Sequence, residues 1–354
     1  MKKILLGMSG GVDSSVSAVI LKKAGYEVYG ITMKLWEDEN EEVEGGCCNL
    51  SSSLDAKRVC DKLNIPHYTL NLKDKFKENV ISDFICEYSN CRTPNPCIEC
   101  NKFMKFGEMY RKAKELEIDY IATGHYAKVE YSDKYNRYVL KKAKNRVKDQ
   151  SYVLWQIPKE IIEYVRFPLA DFESKEEIRQ IARENELLVA NKPDSQDICF
   201  IPDGNYKKFL QENSNLKPIK GNIVNKDGKV LGKHNGLYNY TIGQRKGLGI
   251  SNPVPLFVLG FNNERNEVIV GEEKELYKKE VEVRDINLLL FDEISHELEV
   301  EVKTRYSSKS AKAKIRQNGD KIKIVFDEPQ RAITPGQSAV FYLDDIVVGG
   351  GKII

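Results

Sequence analysis

The sequence lacks any run of about 18 apolar residues, the length that a membrane-spanning helix needs. Residues 1–15, MKKILLGMSGGVDSS, begin like a secretory signal, but their apolar stretch is short and leads into Gly, Ser and Asp. We therefore expect no membrane span and no membrane partner. The composition predicts a cytoplasmic protein.

A strong charge of one sign is also missing. Lys and Arg number 55 against 53 Asp and Glu, which gives the 354 residues a formal net charge of +2. A nucleic-acid partner would therefore need a local basic face. Residues 141–148 and 303–316 are basic, and composition alone leaves phosphate contact and an ordinary charged β surface equally open. The acidic run 37–44 predicts a solvated loop away from any RNA.

The glycine-rich turn GMSGGVDSS at 7–15 lacks the Lys of a Walker A loop and the spacing of Gly-x-Gly-x-x-Gly. A dinucleotide redox enzyme is therefore not expected. The turn follows a predicted strand and opens a predicted helix, an arrangement that points backbone N–H groups at a phosphate. Ser9, Ser14 and Ser15 can add hydroxyl donors, and Asp13 can help hold Mg²⁺. The alternative is a helix-opening turn without a ligand.

Internal repeats and low-complexity tracts are absent, and the chain divides by pattern instead. Strand-like and helix-like segments alternate over the first 200 residues, which predicts an α/β domain with a mostly parallel sheet. Residues 221–250 are rich in glycine, and after about 280 apolar and polar residues alternate as in a small barrel or sandwich. We predict a catalytic α/β domain at 1–205, a small central linker domain at 206–279 and an all-β, barrel-like domain at 280–354.

The chain has eight cysteines, which in a reducing compartment favour metal binding or catalysis over a disulfide framework. NPCIEC, residues 95–100, could be half a zinc site, iron–sulfur ligands, a redox pair or a catalytic thiol with a bystander. We predict that Cys100 lies just ahead of a helix, whose N-terminus would lower the pKa of its thiol. Cys199, in a stretch dense in turn formers, is a third candidate.

The remaining cysteines carry weaker signals. Cys47 and Cys48 are loop thiols or a further ligand pair, and Cys60 occupies an apolar helical position typical of core packing. Cys86 and Cys91 stay ambiguous, although Cys91 is near enough in sequence to join the site.

Eight segments carry a family resemblance: SGGVDSS, RTPNPCIECNKFMKF, ATGHYA, KDQSYVLW, KPDSQDICFIPDGNY, TIGQRKGLGI, KTRYSS and ITPGQSAVFYLDD. Together and in this order they resemble the tRNA-specific 2-thiouridylase (MnmA/TrmU) family of the PP-loop ATPase superfamily. The resemblance spans nearly the whole chain. It implies a Rossmann-like PP-loop domain of the adenine nucleotide alpha hydrolase type, a small central domain and a C-terminal barrel that contacts tRNA.

The resemblance also implies a reaction, the 2-thiolation of the wobble uridine at position 34 of tRNA. ATP with Mg²⁺ would adenylate the C2 oxygen of the uracil and release pyrophosphate. Sulfur would then replace that oxygen, giving 2-thiouridine and AMP. The implied partners are the anticodon loop of tRNA and a sulfur donor such as a cysteine desulfurase or a sulfur-relay protein. We expect a monomer.

Site residues follow from the same resemblance. Cys100 matches the catalytic nucleophile and Cys199 the persulfide carrier, with a Cys100–Cys199 disulfide as an intermediate. The matching ATP contacts are Gly7, Met8, Ser9, Gly10, Gly11, Val12, Asp13, Ser14, Met33 and Gly124. The matching tRNA contacts are Asn95, Pro96 and Cys97 at the target base, and His125, Lys148, Asp149, Gln150, Arg305, Tyr306 and Gln337 elsewhere. Lys148, Arg305 and Tyr306 lie within the basic residues 141–148 and 303–316, so the match favours RNA contact for both groups. His125 also follows a predicted strand end, where α/β enzymes place functional groups.

One departure from the family pattern concerns Cys97, because many members carry Asp at this position. With Cys100 and Cys199 it completes a set of thiols that related sulfurating enzymes use to hold a [4Fe–4S] cluster. The cluster route and the persulfide route remain alternatives. Two other readings are a different PP-loop synthetase, which needs no paired thiols, and a non-enzymatic sulfur or iron–sulfur carrier, which needs no SGGVDS loop.

Overall fold

The computed structural model describes residues 1–36, 50–193 and 198–354. The acidic run 37–44 and Cys47 and Cys48 lie outside the described residues. Within the described chain two compact units form. The first comprises Met1–Ile81, Pro96–Gly204 and Asp345–Val347, and the second comprises Ser82–Asn95, Asn205–Asp344 and Val348–Ile354.

The first unit is built on a parallel sheet. Its strands and those of an adjoining hairpin are β1 (Lys3–Gly7), β2 (Glu27–Lys34), β3 (His67–Asn71), β4 (Tyr120–Ala122), β5 (Ala127–Ser132), β6 (Arg137–Lys142) and β7 (Val165–Arg166). The sheet order is β3-β2-β1-β4-β7, and β5 pairs antiparallel with β6. Strand order reverses between β1 and β4, so a crevice opens at their carboxyl ends, where α/β proteins bind ligands.

The helices follow in chain order: α1 (Val12–Lys23), α2 (Leu50–Lys62), α3 (Lys73–Phe76), α4 (Ser82–Ser89), α5 (Pro96–Cys100), α6 (Met109–Glu115), α7 (Lys175–Glu184) and α8 (Tyr206–Asn213). A π-helical stretch, Lys77–Ile81, follows α3, and another, Asn101–Glu108, joins α5 to α6. Short 3₁₀ turns occur at Ser151–Leu154, Lys159–Tyr164, Leu237–Asn239 and Glu273–Leu276.

The burial of the central strand β1 shows that the sheet is covered on both faces. Ile4, Leu5 and Leu6 are all fully buried, as expected for a parallel strand with helices on either side. Val16 of α1 and Ile178 of α7 belong to the same apolar core as Ile4 and Leu6. Because these helices are anchored by buried side chains, the loops at their N-termini have fixed positions.

The second unit contains a small sheet and a barrel. The small sheet has the order β10-β11-β8-β9 and a core that includes Ile223, Val258 and Val268. Its strands are β8 (Lys220–Val224), β9 (Val230–Asn235), β10 (Phe257–Asn262) and β11 (Glu267–Gly271).

The carboxyl-terminal strands close into an antiparallel barrel in the order β12-β15-β14-β13-β16-β17, with β17 pairing back onto β12. They are β12 (Tyr277–Leu288), β13 (Leu298–Lys303), β14 (Ala311–Asn318), β15 (Lys321–Arg331), β16 (Ser338–Leu343) and β17 (Ile346–Ile353). Closure leaves the barrel without an exposed edge strand.

The predicted fold class is confirmed: a parallel α/β domain, a small β-rich region and an all-β barrel follow one another. The predicted domain limits, 1–205, 206–279 and 280–354, stay a prediction, since the two compact units alternate along the chain. Among the described residues no helix is long and apolar enough to cross a membrane.

Candidate active site

The phosphate loop lies between β1 and α1, as predicted. Gly10 has φ +72°, and a Cβ there would lie 2.0 Å from the backbone oxygen of Ser52, so only glycine fits. Gly11 is the N-cap of α1 and has no side chain with which to cap it. The first N–H groups of the helix can therefore serve an anion.

The serines of the loop bond to one another. The Ser9 N–H donates to Ser14 Oγ at 3.2 Å, and the two hydroxyl oxygens lie 3.2 Å apart. Ser14 Oγ also donates to the Gly11 carbonyl at 3.2 Å. These bonds close the turn on itself and hold two hydroxyl groups at the start of α1.

Asp13, predicted to help hold Mg²⁺, is bonded to protein groups. Lys175 Nζ lies 2.7 Å from each carboxylate oxygen, and the Tyr126 hydroxyl donates to Oδ1 at 2.8 Å. Lys175 is the first residue of α7, which packs against α1. A metal ion at Asp13 would therefore compete with an ammonium group already in place.

The other predicted ATP contacts lie beside this loop. A Cβ on Gly124, which follows β4, would lie 2.9 Å from both the Asp13 carbonyl carbon and the Ser14 nitrogen, so the chain passes directly against the start of α1. A Cβ on Gly7 would lie 3.7 Å from Met33 Cε. The carboxyl ends of β1, β2 and β4 thus bring the predicted nucleotide contacts together.

A second lysine, Lys192, also reaches the loop, and sequence reasoning missed it. Its Nζ donates to the Gly10 carbonyl at 3.2 Å and to Asp55 Oδ2 at 2.9 Å. Lys192 begins the KPDSQDIC segment that ends at Cys199, so its presence in that motif was the available signal. Lys175 lies in no quoted motif, and nothing in the sequence pointed to it.

Cys97 and Cys100 both lie within α5, so the prediction that Cys100 precedes a helix is wrong. Pro96 is the first helical residue, a position where the missing N–H costs no helical hydrogen bond. Cys97 is exposed and stands one residue after this start, whereas Cys100 is 7% exposed and ends α5. The helix-dipole argument for a low thiol pKa therefore does not apply to Cys100.

Cys199 lies in a turn after residues 194–197, which are outside the described chain. Its neighbour Phe200 is 3% exposed and packs edge-on against Phe76, with ring centroids 5.6 Å apart. The ring of Trp36 also packs against Phe200, with centroids 6.4 Å apart. This aromatic cluster anchors the chain next to a half-buried thiol.

The [4Fe–4S] alternative finds no support. Across residues 1–36, 50–193 and 198–354, no three His, Cys, Asp or Glu side chains come together as a metal-binding group. Cys97, Cys100 and Cys199 therefore do not form a ligand set, and we derive no step through a cluster.

The other described cysteines are poor candidates for catalysis. Burial raises the pKa of Cys60 to about 12, with a smaller contribution from Asp61, and the pKa of Cys91 to about 11. Both thiols are protonated at neutral pH and hence weak nucleophiles. Cys86 is exposed on α4. Cys60 is confirmed as a core residue.

His125 is buried. Its Nδ1 hydrogen-bonds the Thr123 hydroxyl at 2.7 Å, and its ring lies 6.0 Å from Phe106 and 6.2 Å from Phe167. Burial lowers the pKa of His125 well below its usual value, and the charge of Lys105 acts in the same direction. The imidazole is therefore neutral at physiological pH, and its tRNA contact stays a prediction.

In the first unit, two of the predicted tRNA-contact side chains accept hydrogen bonds from backbone N–H groups. Asp149 accepts from the Ala143 N–H at 2.8 Å, and Gln150 Oε1 accepts from the Tyr126 N–H at 2.9 Å. Several neighbouring basic groups carry acidic partners: Lys141 with Glu130 at 2.8 Å, Lys144 with Glu173 at 2.8 Å and Arg146 with Asp345 at 2.6 Å. These contacts favour an ordinary charged surface over residues 141–146.

Three further predicted contacts belong to the second unit. Arg305 donates to the Ala332 carbonyl at 2.9 Å, to the Ile242 carbonyl at 3.3 Å and to the Thr334 hydroxyl. Gln337 Nε2 donates to the carbonyls of Thr93 and Pro94. Tyr306 is 43% exposed, with Lys303 Nζ 5.4 Å from its ring centroid. Of the three, Tyr306 is the side chain best exposed for stacking on a base.

Three family models match the chain in succession. The tRNA methyl transferase HUP domain matches residues 2–203, the tRNA methyl transferase PRC-barrel domain residues 207–272, and the aminomethyltransferase beta-barrel domain residues 278–353. Together they extend over both compact units.

Curated relatives match at full length. The tRNA-specific 2-thiouridylase MnmA of Clostridioides difficile is 50% identical over 354 residues, covering 99% of this chain and 98% of that protein. The proteins of the same name from Acetivibrio thermocellus and Clostridium botulinum are 51% and 52% identical, each again over 99% of this chain and over 99% and 98% of their own lengths. With these matches and the loop and cysteines in the expected order, the chain belongs to the tRNA-specific 2-thiouridylase family of sulfurtransferases.

Proposed function

We propose that this protein uses ATP to replace the C2 oxygen of the wobble uridine of tRNA with sulfur. The observation that carries the proposal is the presence, in one compact unit, of a glycine-rich loop at an uncapped helix N-terminus and of the Cys100 and Cys199 thiols. The loop serves the activation step and the thiols serve the sulfur transfer. Family membership supports the same assignment.

Activation begins with ATP on the phosphate loop. The uracil O2 attacks the α-phosphorus, and the bond to the β-phosphate oxygen breaks, so that pyrophosphate leaves. N–H groups at the start of α1 and the ammonium groups of Lys175 and Lys192 lie at the loop to stabilise that leaving group. Mg²⁺ would neutralise phosphate charge, but both carboxylate oxygens of Asp13 are bonded to Lys175, so we do not assign Asp13 as its ligand.

Sulfur transfer follows through a persulfide on Cys199. Either its terminal sulfur attacks C2 and displaces AMP, after which Cys100 attacks the Cys199 sulfur and releases the thiouridine, or Cys100 first frees sulfide, which then displaces AMP. Both routes leave a Cys100–Cys199 disulfide, which a thiol reductant must open before the next cycle. The sulfur is supplied by a cysteine desulfurase or a sulfur-relay protein.

Substrate recognition divides between residues close to the target base and residues that hold the rest of the anticodon arm. Asn95, Pro96 and Cys97 would contact the base, since they lead directly to the nucleophile in sequence. The exposed ring of Tyr306 would stack on RNA. Lys148 would contact the backbone.

The test is a thiolation assay. Unmodified tRNA transcript is incubated with MgATP, a persulfide-loaded cysteine desulfurase and the protein, and the tRNA nucleosides are analysed by mass spectrometry. We expect 2-thiouridine at the wobble position, its loss in Cys100→Ser and Cys199→Ser, and its retention in Cys86→Ser, the matched exposed cysteine. Wild-type protein that forms no 2-thiouridine, or a Cys100→Ser variant that still does, would contradict the proposal.

A further inference from the structure

A loop of the barrel holds the chain that leads into the catalytic helix. We call residues 334–337, Thr-Pro-Gly-Gln, the TPGQ loop, and residues 92–95, which precede Cys97 and Cys100, the approach segment. We propose that the TPGQ loop positions the approach segment, and that Gln337 acts on thiolation through this segment. The proposal deepens the proposed function and rests on it.

The TPGQ loop hydrogen-bonds both backbone groups of Thr93, its N–H and its carbonyl. The Thr93 N–H donates to the Pro335 carbonyl at 2.9 Å, and Gln337 Nε2 donates to the Thr93 carbonyl at 2.7 Å. The same amide reaches the Pro94 carbonyl at 3.3 Å. The side-chain donor of Gln337 is therefore directed at the approach segment.

Gly336 shows how closely the two stretches approach. Its φ of +88° lies in the region that favours glycine, and a Cβ there would lie 2.8 Å from the Thr93 nitrogen and 2.9 Å from Arg92 Cβ. Even the smallest side chain would push the loop and the approach segment apart. The glycine is thus needed for the contact as well as for the turn.

The TPGQ loop is itself attached to the barrel. The Ile353 N–H donates to the Gln337 carbonyl at 2.8 Å, and the Gln337 N–H donates to the Thr334 carbonyl at 3.2 Å. The Thr334 hydroxyl also accepts a hydrogen bond from the Arg305 guanidinium. A loop tied to β17 and to a partly buried arginine can hold the approach segment in a fixed position.

The approach segment is held from its other side by two ion pairs to a buried carboxylate. Glu87 is 3% exposed, and its carboxylate lies 2.7 Å from Arg92 Nε and 3.1 Å from Arg284 Nη2. The Arg92 N–H also donates to the Glu87 carbonyl at 2.9 Å. Because Arg92 and Thr93 are both restrained, the course of the chain up to Asn95 is fixed within the second unit.

The test variant is Gln337→Glu, which keeps the shape of the side chain but removes the amide donor and places a carboxylate against two carbonyls. We expect amide hydrogen exchange of Thr93 in the tRNA-free protein to accelerate about tenfold or more, because its restraint is lost. We also expect kcat for thiolation to fall about tenfold with the KM for tRNA within about twofold of wild type. Gln330→Glu is the matched control, since the Gln330 amide donates to the Glu328 carbonyl at 2.8 Å.

A second variant, Gly336→Ala, displaces the TPGQ loop without adding a charge. We expect it to accelerate the amide exchange of Thr93 as well. Unchanged Thr93 exchange in both variants would overturn the proposal, and so would a raised KM for tRNA with unchanged kcat, which is the signature of a direct tRNA contact. The exchange measurement needs no turnover. A wild-type protein that forms no 2-thiouridine but shows the exchange effect would therefore refute the proposed function while leaving the positioning role intact.

Discussion

At the scale of single residues, the contact between Lys175 and Asp13 defines the charge of the phosphate loop. A lysine at the first position of a helix opposes the helix dipole, which favours anions there. Its two contacts of 2.7 Å with Asp13 compensate for that placement and keep an ammonium group beside the loop. Without it, the carboxylate would repel the triphosphate of ATP.

We therefore predict that Lys175→Met raises the KM for ATP about tenfold, equivalent to about 1.4 kcal/mol of binding free energy. The measurement is pyrophosphate release at saturating tRNA over a range of ATP concentrations. Lys62→Met is the control, because Lys62 makes a comparable contact of 3.0 Å with Glu186 on the surface. A KM for ATP that differs less than twofold between these two variants would contradict the assignment.

His125 predicts a pH dependence of stability. Its folded-state pKa lies well below the unfolded value of about 6.5, so only the unfolded chain gains a proton there as the pH falls. This contribution to stability is complete above pH 6.5 and is lost below it, by up to about 1.4 kcal/mol per pH unit.

Replacing His125 by Gln should flatten that dependence. The measurement is the free energy of unfolding in urea at pH 7 and pH 5.5, for wild type, His125→Gln and, as a control at an exposed histidine, His296→Gln. The loss of stability on acidification should shrink in His125→Gln and persist in the control. Equal losses in all three proteins would show that the histidine is not held neutral.

Sequence reasoning at this scale succeeded where function depends on neighbouring residues. The glycines and serines of the phosphate loop act within one turn, so their spacing predicted their arrangement. Lys175 and Lys192 reach the loop from 162 and 182 residues away along the chain. Only the packing of α7 and of the chain around Lys192 brings them there, and no local pattern encodes that.

At the scale of elements, α7 shows how a helix delivers a functional group. Ser174 is its N-cap: Ser174 Oγ accepts from the Glu177 N–H at 3.2 Å, and Glu177 Oε1 accepts from the Ser174 N–H at 2.8 Å. This reciprocal capping box fixes the first turn, and Lys175 is the residue immediately inside it.

We predict that Ser174→Ala destabilises the protein by about 1 kcal/mol and raises the KM for ATP, because fraying of the first turn releases Lys175. Thermal unfolding and pyrophosphate release measure the two effects. Ser89→Ala, at an exposed serine at the end of α4, is the control. A destabilised Ser174→Ala variant with an unchanged KM would mean that the cap serves stability alone.

Element boundaries were predicted less well than element types. A helical segment does follow Cys100, as predicted, but the helical stretch already begins at Pro96. Proline usually marks an interruption, and its tolerance in the first turn can be recognised only when the following residues are known to be helical. The π-helical stretch Asn101–Glu108 has no sequence signature that we used, although such stretches frequently occur at functional sites.

At the scale of the whole molecule, the two compact units alternate along the chain. Ser82–Asn95 belongs to the unit formed chiefly by residues after 204. Within that unit Tyr88 stacks on Tyr206 at 4.8 Å, and Phe84 meets Phe209 at 6.0 Å. The order of the α/β, small β-rich and barrel regions could be predicted from the patterns of alternation. The membership of Ser82–Asn95 in the second unit depends on long-range packing that no sequence pattern shows.

We therefore predict that a fragment cut at the predicted domain limit, residues 1–205, does not fold stably. It would lack Tyr206 and Phe209, leaving the aromatic side chains of α4 without their partners. Size-exclusion chromatography and limited proteolysis would reveal an aggregated or protease-sensitive product. The control is the full chain carrying Tyr131→Ser, which removes an exposed aromatic ring and should leave the protein folded. A monodisperse, protease-resistant fragment would contradict this prediction.

The contact between the TPGQ loop and the approach segment has a consequence for synthesis on the ribosome. Thr93 is translated well before its partners Pro335 and Gln337, since 244 residues separate it from Gln337. At elongation rates of about 5–20 residues per second, the approach segment lacks these partners for about ten seconds or more. A chain that terminates prematurely thus carries both thiols without the restraint on the segment before them, and such a product should be an early target for proteases.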